Sequence, residues 1–172
     1  MDIRLLTAGD AGAFREIRLR ALREEPTAFT SSYEEFSQRP LDKIAARLRS
    51  DPAEEFMLGA FEADRLVGIV GYYRDGAQKQ RHRGNIISMY VTPEARGRGV
   101  GKALLLTAIE RVREIPGVDQ LLLGVMVTQH AAQQLYAAVG FVVFGREPRA
   151  LKVGDQHYDE EFMTLDLRKG RS

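Results

Sequence analysis

Three glycines at alternate positions separate a mostly apolar run from an amphipathic segment, an arrangement suited to phosphate binding. Gly97, Gly99 and Gly101 follow residues 86–91 and precede residues 102–114. A helix start leaves about four backbone N–H groups without intrahelical partners, and the aligned peptide dipoles make that end partly positive. Glycine carries no Cβ, so the backbone can approach a ligand closely. A strand, a glycine turn and a helix start in this order predict a phosphate site.

Basic residues surround the same turn. Arg96, Arg98 and Lys102 lie within it, and between Lys79 and Lys102 the only acid is Glu94. A local excess of positive charge favours a polyanionic ligand. The net charge of the whole chain is only +1, which argues against a dedicated nucleic-acid binder. A nucleic-acid-binding domain therefore ranks third among the hypotheses for function.

Two familiar phosphate motifs fail on spacing. A P-loop needs a glycine five residues before its Gly-Lys pair and a Ser or Thr after it. Here Gly101-Lys102 has Arg96 upstream and Ala103 downstream. The dinucleotide fingerprint needs a third glycine at position 102 or 104, where lysine and leucine stand. The pattern that remains is Arg96, two residues, Gly99, one residue and Gly101.

A second informative segment lies about 30 residues downstream. Residues 121–127 form a short apolar run typical of a strand, and residues 128–141 have helical periodicity with Gly140 as a stop signal. In this order, the two segments resemble the GNAT family of acyl-coenzyme A N-acyltransferases. That family carries Gln or Arg, two residues, Gly, one residue and Gly or Ala in its pyrophosphate segment, which is the pattern of residues 96–101.

The family's second pattern is Asn-x-x-Ala-x-x-Leu-Tyr followed by Gly-Phe. This chain has Gln129 where Asn is usual, and the matching positions are Ala132, Leu135, Tyr136, Gly140 and Phe141. The resemblance implies an acetyl-coenzyme A-dependent N-acetyltransferase. Such an enzyme moves an acetyl group from the thioester to a primary amine by direct attack and releases coenzyme A.

The resemblance also implies a fold, a three-layer α/β/α sandwich around a mixed, mostly antiparallel sheet whose fourth and fifth strands splay apart. Mixed strands and helices along the chain favour the same class. We expect a single domain over residues 1–172. The predicted strands are 2–6, 56–62, 65–73, 84–91, one from 119, 141–151 and 158–167, and the predicted helices are 11–24, 41–49, 99–114 and 128–141.

In the family the pantetheine arm enters between the splayed strands and the pyrophosphate meets the glycine turn. Tyr136 is implied as the proton donor to the coenzyme A sulfur and is the predicted catalytic residue. The expected cofactor-binding residues are Met89, Tyr90, Val91, Arg96, Gly97, Arg98, Gly99, Val100, Gly101, Lys102, Gln129 and Tyr136.

The predicted fourth strand has no carboxylate. An amine with a pKa of about 10.4 is the free base roughly once in 2,500 molecules at pH 7, so a general base or desolvation must assist the reaction. Family members often place a Glu on this strand, but here Ser88 and Tyr90 are its polar residues, on one face by strand alternation. The candidate bases elsewhere in the chain are Glu34, Glu35, His82, Asp159 and Glu160.

The acceptor site is open to more than one interpretation. Residues 30–36 lie in the region that GNAT members use to shape the acceptor pocket, and residues 158–161 lie on a closing hairpin. The acidic stretch 155–166 would attract a cationic amine if it faced the opening, or it forms an exposed hairpin. Glu34 and Glu35 could equally be first-turn acids of a helix. The side chains that could ring an amine are Tyr33, Glu34, Tyr158 and Asp159.

Composition narrows the class of protein. The absence of cysteine excludes disulfides and a thiolate nucleophile, and the three scattered histidines show no metal-ligand spacing, so no metal is expected. No run approaches the ~20 apolar residues of a membrane span, and the charged start lacks the apolar stretch of a signal peptide. We expect a cytoplasmic protein without nucleic-acid or membrane partners.

The partner implied by the resemblance is a small-molecule or peptide amine, and a homodimer is an option because dimers are common among similar proteins. The alternative function is a coenzyme A-binding sensor or interaction module of the same fold with little turnover. The missing fourth-strand carboxylate and Gln129 motivate that alternative.

Overall fold

The structure is a computed structural model that describes residues 1–169. This part of the chain contains seven strands and five α-helices. The strands are β1 (Asp2–Leu5), β2 (Glu55–Glu62), β3 (Arg65–Arg74), β4 (Arg83–Val91), β5 (Gln120–Met126), β6 (Val142–Val153) and β7 (Gln156–Asp166), and the helices are α1 (Ala11–Glu24), α2 (Tyr33–Ser37), α3 (Leu41–Arg47), α4 (Val100–Arg113) and α5 (His130–Ala138).

The strands form one sheet in the order β1-β2-β3-β4-β5-β7-β6. Every neighbouring pair is antiparallel except β4 and β5, which run parallel. The pairing of β4 with β5 covers only Arg83–Asn85 against Gln120–Leu122. Beyond these residues β4 and β5 no longer pair with each other. This confirms the predicted splay and leaves an opening in the middle of the sheet.

Helices cover both faces of the sheet and confirm the layered architecture. One cluster of buried side chains joins the sheet to α4 and α5, and a second joins it to α1, α2 and α3. On α4 the side chains of Leu104, Leu105, Ala108, Ile109 and Val112 are buried at helical spacing. Each large one contributes about 1.5–3 kcal/mol on burial, so α4 is anchored firmly behind the turn at its start.

Helix α2 was not among the sequence predictions. It begins after Ser32, whose hydroxyl accepts a hydrogen bond from Glu35 N at 3.1 Å, while the Glu35 carboxylate accepts one from Ser32 N at 3.1 Å. This reciprocal capping box satisfies two backbone donors at the helix start. The Ser-x-x-Glu signal was readable in the sequence, and it makes Glu35 a capping acid, one of the two interpretations left open.

The hairpin of β6 and β7 contains a bulge. Glu147 pairs with Glu160 and Leu151 with Tyr158, so three residues of β6 lie opposite Asp159 alone. The Asp159 carboxylate accepts hydrogen bonds from Arg149 N at 2.9 Å and from Arg146 Nε at 3.0 Å. Asp159 therefore holds the bulge in place.

Candidate active site

A cleft of about 480 Å³ opens where β4 and β5 separate. Its walls come from both splayed strands, the start of α4, helix α5 and the segment after α1. Of the twelve residues predicted to bind the cofactor, eleven line this cleft, and Arg98 does not. The lining residues that sequence reasoning missed are Glu25, Ala28, Phe29, Ile86, Ile87, Ser88, Ala95, Gly124, Val125, Ala131, Ala132 and Leu135.

The glycine turn has the backbone geometry that phosphate binding requires. Gly97 and Gly99 have φ angles of +74° and +78°, and a Cβ on either would meet no protein atom within 4 Å. The hydrogen bond from Ala103 N to Gly99 O, 3.0 Å long, spans the first turn of α4. The N–H groups of residues 100–102 precede this bond and have no intrahelical acceptor. The turn therefore presents donors to an uncovered space beside the cleft.

The three basic residues of the turn differ in their environments. Arg96 forms an ion pair with Glu25 at 2.5 Å, and Arg98 forms one with Glu62 at 2.9 Å. Lys102 is exposed, lines the cleft and has no ion pair with any other residue between 1 and 169. Of the three predicted phosphate-binding cations, only Lys102 is uncommitted to a carboxylate.

A bulge interrupts β4 at the cleft. Ile87 pairs with Gly71 and Tyr90 with Ile69, so Ser88 and Met89 together lie opposite one residue of β3. Ser88 has a φ angle of +56°, an unusual value for a residue other than glycine. The extra residue breaks strand alternation, so the predicted shared face of Ser88 and Tyr90 is wrong. Tyr90 instead lies on the same face of β4 as Ile87, because their partners on β3 are two residues apart.

Tyr90 belongs to the packing between β4 and α1. It is buried, and its hydroxyl donates a 2.5 Å hydrogen bond to the carboxylate of Glu24. Burial first, and then the adjacent Glu24 carboxylate, raises the pKa of Tyr90. Its hydroxyl is thus a protonated donor that holds the end of α1 against β4.

Tyr136 lines the cleft from α5. Its side chain is 6% exposed, and its ring contacts that of Phe141 edge-on at 6.0 Å between centroids. Burial raises the pKa of Tyr136 well above its ordinary value. The hydroxyl has no hydrogen-bond partner among residues 1–169, so it is a neutral donor available to a ligand. Gln129 lies just before α5 and lines the same cleft.

Four of the five candidate bases lie away from the cleft lining or have a lowered pKa. Glu34 is exposed on α2, which contributes nothing to the cleft lining. Bonds from the backbone N–H and hydroxyl of Ser32 lower the pKa of Glu35. His82 lies before β4, at the end of that strand far from the cleft. Hydrogen bonds from Arg149 N and Arg146 lower the pKa of Asp159.

Glu160 differs from Glu35 and Asp159 because its pKa is raised and not lowered. The main cause is burial of the carboxyl group, and the nearby Glu147 carboxylate adds to it. Among the described residues it accepts no hydrogen bond and forms no ion pair. The predicted acidic stretch is therefore divided: Asp159 pairs with Arg146, Asp166 with Arg168, and Glu160 stays unpaired.

The side chains predicted to ring an amine do not line the cleft. Tyr33 accepts a 2.9 Å hydrogen bond from Arg23, and Tyr158 lies on the hairpin outside the lining set. The cleft wall on that side is formed by Ala28 and Phe29. No pattern in the sequence marked Phe29, because the segment after α1 has no regular structure of its own. Among residues 1–169 no group of three or more His, Asp or Glu side chains could hold a metal ion.

Most of the chain matches a known family of proteins. A family model described as the acetyltransferase (GNAT) family matches residues 18–141, from within α1 to just past the end of α5. This chain belongs to the GNAT acetyltransferase family. The resemblance seen in the two sequence motifs is thereby confirmed.

Several GNAT relatives and structures show the likeness. Mycothiol acetyltransferase of Thermobispora bispora is 31% identical over 77% of this chain and 43% of its own length. L-methionine sulfoximine/L-methionine sulfone acetyltransferase of Pseudomonas paraeruginosa is 31% identical over 64% of this chain and 65% of its own length. A phosphinothricin acetyltransferase of Sinorhizobium meliloti, solved in complex with acetyl-coenzyme A, has a TM-score of 0.82 and 22% identity over 99% of this chain and 90% of its own.

The two curated relatives and the solved structure match this chain over different shares of their own length. The chain spans less than two thirds of the length of the two curated GNAT relatives. The structural likeness at 22% identity confirms the GNAT fold. Within residues 1–169 no helix is long and apolar enough to cross a membrane.

Proposed function

We propose that this protein is an acetyl-coenzyme A-dependent N-acetyltransferase that acts on a small-molecule primary amine. The observation that carries the proposal is the cleft itself, which connects the open glycine turn at one end with the hydroxyl-bearing ring of Tyr136. A diphosphate bound at the turn would place an attached thiol arm between β4 and β5. Membership of the GNAT family and the names of relatives support the same activity.

The residues present fit acetyl-coenzyme A. The N–H groups of residues 100–102 and the uncommitted Lys102 would hold the pyrophosphate. The backbone of Met89–Val91 and the Gln129 side chain would meet the pantetheine arm. When bound, acetyl-coenzyme A supplies a thioester, whose carbonyl carbon accepts the amine and whose sulfur leaves.

The β4 bulge supplies a second feature of the site. A bulge leaves part of the strand ladder unpaired, and the two bulge residues, Ser88 and Met89, both line the cleft. Preorganised donors stabilise charge that develops on a carbonyl oxygen. We assign thioester polarisation to this segment of β4.

Tyr136 assists the departing sulfur. A free thiol has a pKa of about 8.5 and an ordinary tyrosine about 10, and burial raises the pKa of Tyr136 further. Complete proton transfer from Tyr136 to a thiolate is therefore uphill. A hydrogen bond from the protonated hydroxyl to the developing thiolate stabilises it without transfer.

The acceptor is proposed from the relatives. The relatives are named as acetyltransferases of mycothiol and of L-methionine sulfoximine or L-methionine sulfone, which are small molecules. The cleft wall at Ala28 and Phe29 gives the acceptor side an apolar surface. A small amine with an apolar part fits this wall better than a strongly basic polymer would.

Calorimetric titration with coenzyme A and acetyl-coenzyme A, followed by detection of free thiol over a panel of amines, tests the proposal. We expect saturable binding of both nucleotides and thiol release with at least one amine. Absence of binding would refute the proposal. Binding without thiol release above background on any amine would favour the sensor alternative, which the missing β4 carboxylate motivates.

A further inference from the structure

Strand β7 carries an unpaired carboxylate next to the cleft. Glu160 pairs through its backbone with Met126 of β5, and its side chain lies diagonally over Gly124. A Cβ on Gly124 would collide with Oε1 of Glu160 and lie 2.9 Å from its carboxyl carbon. Gly124 itself lines the cleft. The missing Cβ at Gly124 therefore lets the Glu160 carboxylate lie directly behind Gly124, a lining residue, although Glu160 is not itself part of the lining.

The neighbouring acids of β7 lie on the other face of the sheet. Glu161 accepts a 3.1 Å hydrogen bond from Gln133 of α5, and Asp159 is held by Arg146. Because strand side chains alternate, Glu160 lies on the face opposite α5, the side of α1 and Phe29. Phe29, which forms part of the cleft wall assigned to the acceptor, lies on this side of the sheet.

No basic residue between 1 and 169 neutralises Glu160. From β6 it is faced by Glu147, its backbone partner, and from β5 by Gly124 and Met126, which do not titrate. Tyr158 and Phe162 are its neighbours on the same face of β7 by alternation. Burial and Glu147 raise the pKa of Glu160, which makes the carboxylate a stronger base than an ordinary exposed one.

We propose that Glu160 is the general base that accepts a proton from the acceptor amine, and this inference rests on the proposed acetyltransferase function. An ammonium nitrogen loses two protons over the reaction. One passes to the Glu160 carboxylate and then to solvent, which frees the lone pair for attack on the thioester carbon. As the C–N bond forms and the C–S bond breaks, the second proton leaves nitrogen and a proton ends on the coenzyme A sulfur, so charge and atoms balance.

The test is the pH dependence of kcat/KM for the amine in Glu160→Gln. General bases typically contribute 10²–10⁴-fold. We expect a loss of about 100-fold or more at pH 7, with affinity for coenzyme A within about twofold of the parent protein. The deficit should shrink as the pH approaches 10, because the amine then deprotonates without help.

Three further variants separate a base from a structural residue. Glu147→Gln removes a like charge and should move the acid limb of the profile to lower pH, because the pKa of Glu160 then falls. Gly124→Ala should displace the carboxylate and reproduce the Glu160→Gln profile. Glu161→Gln, on the opposite face, should keep kcat/KM within about twofold.

The outcomes are distinct. If the parent protein binds acetyl-coenzyme A and releases thiol but Glu160→Gln keeps kcat/KM within about threefold at pH 7, the assignment of Glu160 is wrong and the proposed function stands. A loss that is equal at every pH would also overturn it, since that indicates a positional defect. A parent protein with no turnover would refute the proposed function and this assignment together.

Discussion

Arg96 and Glu25 form an ion pair with a nitrogen to oxygen distance of 2.5 Å, and both residues line the cleft. Arg96 Nε also donates a 2.9 Å hydrogen bond to the Val91 carbonyl, and the guanidinium lies 5.7 Å from the centre of the Tyr90 ring. The side chain thus ties the end of α1 to the end of β4. The ion pair fixes the turn and leaves Lys102 and the backbone N–H groups free for the phosphates of the proposed cofactor.

Arg96→Ala should weaken coenzyme A binding. A hydrogen bond to a charged group typically contributes about 1.5–3 kcal/mol. Because its loss should disorder the turn only in part, we expect the affinity for coenzyme A to fall roughly tenfold, or by about 1.4 kcal/mol. Calorimetric titration with coenzyme A measures the change. Glu25→Gln is the matched control: an amide oxygen can still accept from Arg96 while a negative charge leaves the cleft, so binding should be equal or tighter. Equal weakening by both substitutions would contradict this role of Arg96.

Gly99→Ala should destabilise the fold through its backbone. A φ of +78° costs an L-residue about 1 kcal/mol, and no protein atom lies within 4 Å of the added Cβ to change the packing. Urea unfolding should show a free energy of unfolding lower by about that amount. Gly145→Ala, which also meets no atom within 4 Å but lies in β6 without a positive φ, should show no loss. A stable Gly99→Ala would mean that the turn relaxes easily.

Tyr136→Phe should slow turnover without unfolding the protein. The hydroxyl has no partner among residues 1–169, and the ring contact with Phe141 is retained. We expect kcat to fall about 10–100-fold, because a hydrogen bond to a charged group contributes about 1.5–3 kcal/mol, with the KM for acetyl-coenzyme A and the urea midpoint nearly unchanged. Because burial raises its pKa, Tyr136 stays protonated through pH 10, so the parent enzyme should show no loss of kcat from this group below that pH. Unchanged kcat in the variant would reduce Tyr136 to a packing residue.

Arg18→Met should stabilise the protein. Arg18 is 8% exposed, and its Nη1 is buried without a hydrogen-bond partner. Burial first, and then Arg47 and Arg39, lower its pKa to about 10. A buried charge without an anionic partner is costly, and the contact of its guanidinium with Phe29 at 4.4 Å offsets only part of this cost. We expect the free energy of unfolding to rise by ~1 kcal/mol in urea titration.

The control on the same helix is Arg15→Met. Arg15 donates a 2.8 Å hydrogen bond to the Ser37 carbonyl, so its loss should lower the free energy of unfolding by ~1 kcal/mol. Destabilisation by Arg18→Met of the same size would show that the stacking on Phe29 outweighs the charge.

Much of the cleft wall was predictable because its signals are local. The strand, the turn at Gly97–Gly101 and the start of α4 follow from glycine chemistry and unpaired N–H groups within a few residues. Tyr136 follows from its place in a short motif on α5. Such motifs depend on residues close together in the chain, so the amino-acid sequence alone is sufficient to predict them.

Other features of the cleft could not be predicted because they join distant parts of the chain. The Ser88 bulge depends on the register of β3, and Arg96 meets Glu25 across 71 positions. Glu160 looks like its neighbour Asp159 in the sequence, but alternation along β7 and the bare Cα of Gly124 give the two acids opposite environments. The sequence by itself determined the family, the glycine turn and the place of Tyr136. Only the tertiary structure decided which charges are neutralised and which stay unpaired, because burial and ion pairing depend on contacts between elements that the chain order does not specify.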